Sequence, residues 1–192
     1  MHTRGKQQLE DLRARIARLE RRLEPADLSA TAAAVPVHEP GPLDIVTRPH
    51  GLLHEIFTAD QRLAGTALGF GLGLARPLLT SDRPALLYLQ LASDRQELGF
   101  PYAPGFHRFG LDPDAVVLCR VETVAELLWA MEEAIGCRAV AAVLADLAGP
   151  HKALDFTASR RLALRISATR TTAFLLRYGT GREASASALR WR

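Results

Sequence analysis

The chain has 192 residues, 48% hydrophobic and only 6% aromatic, and carries a formal charge of +3 at pH 7. That length supports one buried core with an extension, and a Leu- and Ala-rich composition with few aromatics favours helices packed on an aliphatic sheet over a β-sandwich or barrel. Arg supplies nearly all the positive charge and clusters at the two ends, Arg13 to Arg22 and Arg160 to Arg192; this suits phosphates or an acidic partner but also follows from a GC-rich genome, so charge alone leaves the partner open.

Leu9, Leu12, Ile16, Leu19 and Leu23 recur at alternating spacings of three and four, which predicts an Arg-rich amphipathic helix over residues 1–25, ended by Pro25. About two heptads are too few for an independent coiled coil, so this seam should dock on its own domain or on a neighbouring subunit. Residues 26–49 are Ala/Pro-rich and read as a linker, because Val35-Pro-Val-His-Glu-Pro-Gly-Pro sustains neither helix nor ladder. The core domain then spans 50–192.

Within that core, Gly51 to Phe57 reads as a short buried strand, and Ala64 to Leu78 as a helix whose Gly65, Gly69 and Gly73 share one face and permit close approach to a sheet. Ala85 to Leu91 and Val116 to Val121 are continuous apolar runs, as in parallel strands buried on both faces. Thr123 to Ile135 supplies a helix with Leu127, Leu128, Met131 and Ile135 inward. Ala139 to Asp146 is a strand ending at a carboxylate, Leu154 to Ala168 a basic amphipathic helix, Thr171 to Leu176 a strand, and Ala186 to Arg192 an edge strand. This alternation predicts an α/β fold, a mostly parallel sheet flanked by helices. The polar opening Met1 to Lys6 has no signal core and the longest apolar stretch, Ala64 to Leu79, is Gly-broken and too short for a bilayer; a cytoplasmic protein without membrane contact is expected.

Pro101-Tyr102-Ala103, Phe109-Gly110-Leu111-Asp112 and Val117-Leu118-Cys119 stand in the order and spacing of the segment after the second core strand of RecA, and the chain resembles the RecA core. Leu53-His54-Glu55, Tyr102-Ala103-Pro104-Gly105, the runs Leu127 to Ala134 and Leu154 to Leu162, and the final Arg190-Trp191-Arg192 give a closer resemblance to the ImuA family, from about Gly51 to the end. The resemblance implies a RecA-like core with a degenerate P-loop and an N-terminal amphipathic helix. It also implies work beside ImuB, a catalytically defective relative of the Y-family polymerases, and an error-prone DnaE-type polymerase during damage-induced mutagenesis.

A working P-loop needs a Gly-rich turn that aims backbone N–H groups at phosphates, a Lys for their charge and a Ser/Thr hydroxyl for magnesium. The turn between the first strand and helix reads Thr58-Ala-Asp-Gln-Arg-Leu-Ala-Gly-Thr66: no Lys, one Gly at the far end, Asp60 adding negative charge, and Arg62 as the one substitute cation. Asp146 resembles the Walker B carboxylate but has no P-loop metal to hold, so it reads as a cap on the loop after its strand, and Asp146→Ala should be close to neutral for function. Gln90 and Leu91 stand where a recombinase places its catalytic Glu and cannot act as a base. Thr58, Asp60, Arg62, Thr66 and Asp146 are therefore expected to form a degenerate nucleotide site in a pseudo-ATPase without cofactor, metal or catalytic residue. Elsewhere, Gly69-Phe-Gly-Leu-Gly73 lies inside a helix and is no dinucleotide fingerprint. Cys119, Cys137, His50, His54, His107 and His151 lack zinc-ligand spacing, and the setting of Ser159 is no nucleophile elbow.

What remains is binding. The expectation is an adaptor in SOS-induced translesion synthesis that contacts ImuB and the DnaE-type polymerase through its N-terminal helix and core edges, with the Leu9–Leu23 seam joining a second copy of the chain or RecA. Arg13, Arg18, Arg160, Arg161 and Arg165 are candidate contacts to nonspecific DNA. Two rivals stand beside it: a nucleotide-dependent DNA-repair ATPase with an unusual loop, and a SulA-like cell-division inhibitor, a class whose chains are usually shorter and lack the Arg-rich helix.

Overall fold

Continuous aliphatic runs have no polar side to offer water, and here each becomes a strand of one sheet covered on both faces. The computed structural model describes residues 13–14, 51–94, 98–179 and 183–192. The expected N-terminal helix, its apolar seam and the linker lie outside these residues, apart from Arg13 and Ala14, which are helical.

In chain order the elements are β1 (Leu53–Thr58), α1 (Ala64–Ala75), β2 (Ala85–Leu91), α2 (Ala103–Arg108), β3 (Val116–Val121), α3 (Val124–Ile135), β4 (Val140–Ala148), α4 (Phe156–Ser167), β5 (Thr172–Tyr178) and β6 (Leu189–Trp191). Short 3-10 turns precede and follow α1 and precede β3. The six strands run in the order β3-β2-β4-β5-β1-β6, and every pairing is parallel. The fold is therefore α/β with a parallel sheet flanked by helices, as the alternation of elements predicts. Every residue of β2 and of β5 is buried, which the unbroken apolar runs required.

Side chains alternate across the sheet and so build two cores. On one face Leu87, Leu89, Val143, Ala145 and Leu175 pack against Leu127, Met131 and Ile135 of α3 and Leu162 and Ile166 of α4. On the other, Leu86, Leu144, Phe174 and Leu176 pack against Ala67, Leu72 and Ala75 of α1 and against Phe106 and Leu111. Each such Leu or Ile contributes roughly 1.5–3 kcal/mol by leaving water. Thr123 caps α3 by accepting from the Glu126 N–H at 3.1 Å, and Asp155 caps α4 by accepting from the Ala158 N–H at 2.7 Å; both starts fall within two residues of the predicted ones.

Two expectations are corrected. The glycine that meets the sheet is Gly71, where an added Cβ would lie 3.3 Å from Leu144 and Leu176. Gly65 and Gly73 face open space, and Gly69 lies under the ring of Phe109, so the row read as sheet-facing looks outward. Secondly, β4 does not end at Asp146 but runs two residues further, to Ala148.

Candidate functional site

In a parallel sheet ligands gather at the carboxyl ends of the strands, and both candidate groups of the nucleotide site fall there. After Thr58 the chain makes a 3-10 turn over Gln61–Leu63. The Asp60 carboxylate accepts from the Arg62 N–H at 2.9 Å and the Asp60 carbonyl from the Leu63 N–H at 3.0 Å, while the Ala64 N–H returns to the Gln61 carbonyl. The Thr58 hydroxyl donates to the Asp60 carbonyl at 3.2 Å. Three successive amides that a phosphate would need are thus engaged by oxygens of the loop itself, and Asp60 adds a negative charge beside them. Breaking three such bonds costs about 1 kcal/mol each, and a phosphate about 4 Å from Asp60 would meet a further repulsion of about 1–4 kcal/mol. The Arg62 side chain and Thr66 are exposed.

Asp146 stands apart from this loop. It pairs in register with Leu176, which pairs with Ile56, so it lies two strands away from β1, about 10 Å across the sheet. Its side chain is buried and closed. Tyr88 donates to Oδ2, Gln90 donates to the same oxygen at 3.1 Å, and Tyr178 donates to Oδ1 at 2.6 Å. Gln90 also donates to the Tyr88 hydroxyl at 3.1 Å. Burial raises the Asp146 pKa against the opposing pull of these hydrogen bonds, and burial followed by the nearby carboxylate drives both phenols well above the ordinary tyrosine range. With both carboxylate oxygens taken, Asp146 ties β2, β4 and β5 together on the α1 face. It is a structural crosslink within the strand, not a cap on the following loop.

A second polar cluster lies on the opposite face. Glu55 is buried in β1 and faces Arg177 of β5 at 3.5 Å and Arg190 of β6 at 2.9 Å, and the Ser187 hydroxyl donates to it at 3.1 Å. Arg177 also reaches Glu183 at 3.2 Å. The register sets His54 against Leu189, Glu55 against Arg190 and Ile56 against Trp191, so the two short motifs Leu53-His54-Glu55 and Arg190-Trp191-Arg192 form one latch. No sequence signal joined them, because they are more than 130 positions apart.

The candidate DNA contacts are scattered. Arg161 ion-pairs with Glu132 of α3, and Arg165 donates to the Glu132 carbonyl at 2.9 Å, so two of the three α4 arginines help hold α4 to α3. Arg160 is exposed. Arg13 lies over Trp129 of α3, 5.9 Å from the ring centroid. Arg18 lies outside the described residues, as do Leu9, Leu12, Ile16, Leu19 and Leu23.

Among the described residues no group of three His, Cys, Asp or Glu side chains is placed to hold a metal, Cys119 and Cys137 are free thiols, and no helix is long and apolar enough to cross a membrane. A cleft of about 410 Å³ is lined by His151, Lys152, Asp155, Phe156 and Glu183, at the start of α4. The segment between β2 and β3 presents three exposed aromatics, Phe100, Tyr102 and Phe109; Tyr102 and Phe109 belong to the family-like motifs, and Phe100 carries no signal in the sequence.

No known protein family matches the chain, and no curated protein matches it. Among solved structures it is similar to SulA from Pseudomonas aeruginosa, with 18% identity and a TM-score of 0.46 over 66% of this chain and 98% of that one. At that score the likeness decides neither family nor function.

Proposed function

We propose that this protein is a non-catalytic RecA-like binding module, an adaptor in SOS-induced translesion synthesis that contacts ImuB. The observation that carries the non-catalytic half is the closed loop after β1, whose amides at Arg62, Leu63 and Ala64 already have acceptors and whose Asp60 repels phosphate. The engagement of both Asp146 oxygens by Tyr88, Gln90 and Tyr178 supports the same reading. The choice of partner rests on the five short motifs that resemble the ImuA family. In this reading the parallel sheet is a rigid scaffold and the work is done by its surfaces, with the DnaE-type polymerase and RecA as further partners.

Co-purification of the tagged full chain with separately purified ImuB, RecA and DnaE-type polymerase tests the proposal. ImuB should be retained in the absence of any nucleotide. Retention that requires ATP and magnesium would favour the ATPase reading, and capture of the tubulin-like division protein in place of ImuB would favour the division-inhibitor reading.

A further inference from the structure

α3 turns one face to the core and leaves another exposed. Leu127, Leu128, Met131 and Ile135 are buried, whereas Glu126, Trp129 and Glu133 are exposed. These three are spaced three and four apart, so they stand in one line along the helix. Residues 122–133 include four Glu and no Lys or Arg. On the flank toward α4, Glu132 is taken by Arg161 and Arg165. Among the described residues no cation ion-pairs with Glu126 or Glu133, and an indole that is 36% exposed stands between them. Carboxylates draw a guanidinium in and the indole face stacks it, so this stripe suits an Arg-rich segment with apolar residues beside the arginines.

The chain itself carries such a segment. From Arg13 to Arg22 it has five Arg and one acid, Glu20. Arg13 is helical and lies over Trp129, its guanidinium 5.9 Å from the ring centroid. In the helix predicted over residues 1–25, Leu9 and Ile16 stand four and three positions from Arg13, which makes Arg13 a border residue of the Leu seam. Arg13 over the indole therefore brings that edge of the seam to α3, where exposed Ala125 and half-buried Val124 lie within one turn of Trp129 or its neighbours. Residues 26–49 can extend about 80 Å, several times the length of α3, roughly 18 Å, so the tether permits the contact within one chain. A tethered segment meets its seat at an effective concentration on the order of millimolar, far above that of a second copy in dilute solution.

We infer that the N-terminal segment Leu9–Leu23 docks in cis on the exposed stripe of α3, with Arg13 over Trp129, neighbouring arginines on Glu126 and Glu133, and the Leu seam turned to the helix. A partner that uses the seam must then displace α3 from it. The inference depends neither on the loop after β1 nor on the choice of ImuB as partner, so its failure leaves the proposed function standing.

Acrylamide quenching of tryptophan fluorescence in the full chain tests the contact, because the chain has two Trp and Trp129→Phe removes one of them. Ile16→Asp with Leu19→Asp should raise the quenching constant, and the rise should vanish in a Trp129→Phe background. Glu133→Arg changes an exposed position of α3 and should raise quenching in the same way, which decides the matter even where the seam variant is insoluble. Wild-type quenching should be independent of protein concentration well below a millimolar, with a monomer in sedimentation. Unaltered quenching in the folded variants, or a rise that persists without Trp129, would overturn the inference. Protection of Trp129 that grows with protein concentration would also overturn it, by showing that the seam docks on a second copy.

Discussion

Trp191 donates its indole N–H to Nδ1 of His54 at 3.0 Å, with the two rings 5° from parallel and their centroids 6.0 Å apart. Accepting at Nδ1 fixes the imidazole as the neutral Nε2–H form, and burial lowers its pKa to about 4. Between about pH 6.5 and 4 the unfolded chain binds a proton that the folded chain refuses. The stability that neutral His54 confers is therefore complete above about pH 6.5 and is lost as the pH falls toward 4, by up to about 1.4 kcal/mol per unit. Asp146 has the opposite slope, since its raised carboxyl pKa makes the folded chain the better proton acceptor above the ordinary carboxylate range. The His54 share is accordingly read as a difference. Urea denaturation should show wild type losing more stability than His54→Gln from pH 7 to 4, and equal slopes would contradict the buried neutral ring.

Asp146→Ala should cost stability. The substitution leaves two buried phenols and the Gln90 amide without their common acceptor, and each orphaned group costs on the order of 1–3 kcal/mol. A loss of about 2–5 kcal/mol by urea denaturation is expected, with Tyr178→Phe losing less because Tyr88 and Gln90 still satisfy the other oxygen. The expectation of a near-neutral effect holds for function only where the variant remains folded. A fully stable Asp146→Ala protein would show that the cluster is not a crosslink.

Glu55→Gln should destabilise by about 3–5 kcal/mol, the usual effect of removing one partner of a buried ion pair, because Arg177 would keep only the half-exposed Glu183. Arg190→Gln should lose less, since its side chain is partly solvated. A double-mutant cycle between positions 55 and 177 reads the coupling directly, and a coupling near zero would dissolve the latch.

Glycine substitutions separate the faces of α1. Gly65→Ala and Gly73→Ala place a methyl in open space and should each raise stability by up to about 1 kcal/mol through helix propensity. Gly71→Ala should gain less or lose, since Leu144 and Leu176 must give way. Gly51→Ala should be severe: its Cβ would lie 1.9 Å from the Thr171 carbonyl oxygen, and backbone cannot move aside as a side chain can. Thermal melts of the four variants check this order.

The sheet was legible because a strand buried on both faces is written locally, as at Leu86 to Leu89 and Ala141 to Leu144. The outward glycines of α1 were misread because that helix is apolar all round, so its sequence gives no inner side. The closed loop at Asp60 follows from nearest neighbours and was partly visible as a missing Lys and missing glycines. The Asp146 crosslink was not, because Tyr88 and Tyr178 meet it only when β2, β4 and β5 align. Arg161 and Arg165 stand in the sequence as candidate DNA contacts for the same reason: their acceptor, Glu132, belongs to a separate helix.

The most direct measurement is calorimetric titration of the full chain with ATP in the presence and absence of magnesium. The closed loop predicts no binding tighter than about 1 mM under either condition. Magnesium-dependent binding at about 10 μM or tighter, weakened by Arg62→Ala, would contradict the account and return the chain to the nucleotide-dependent enzymes.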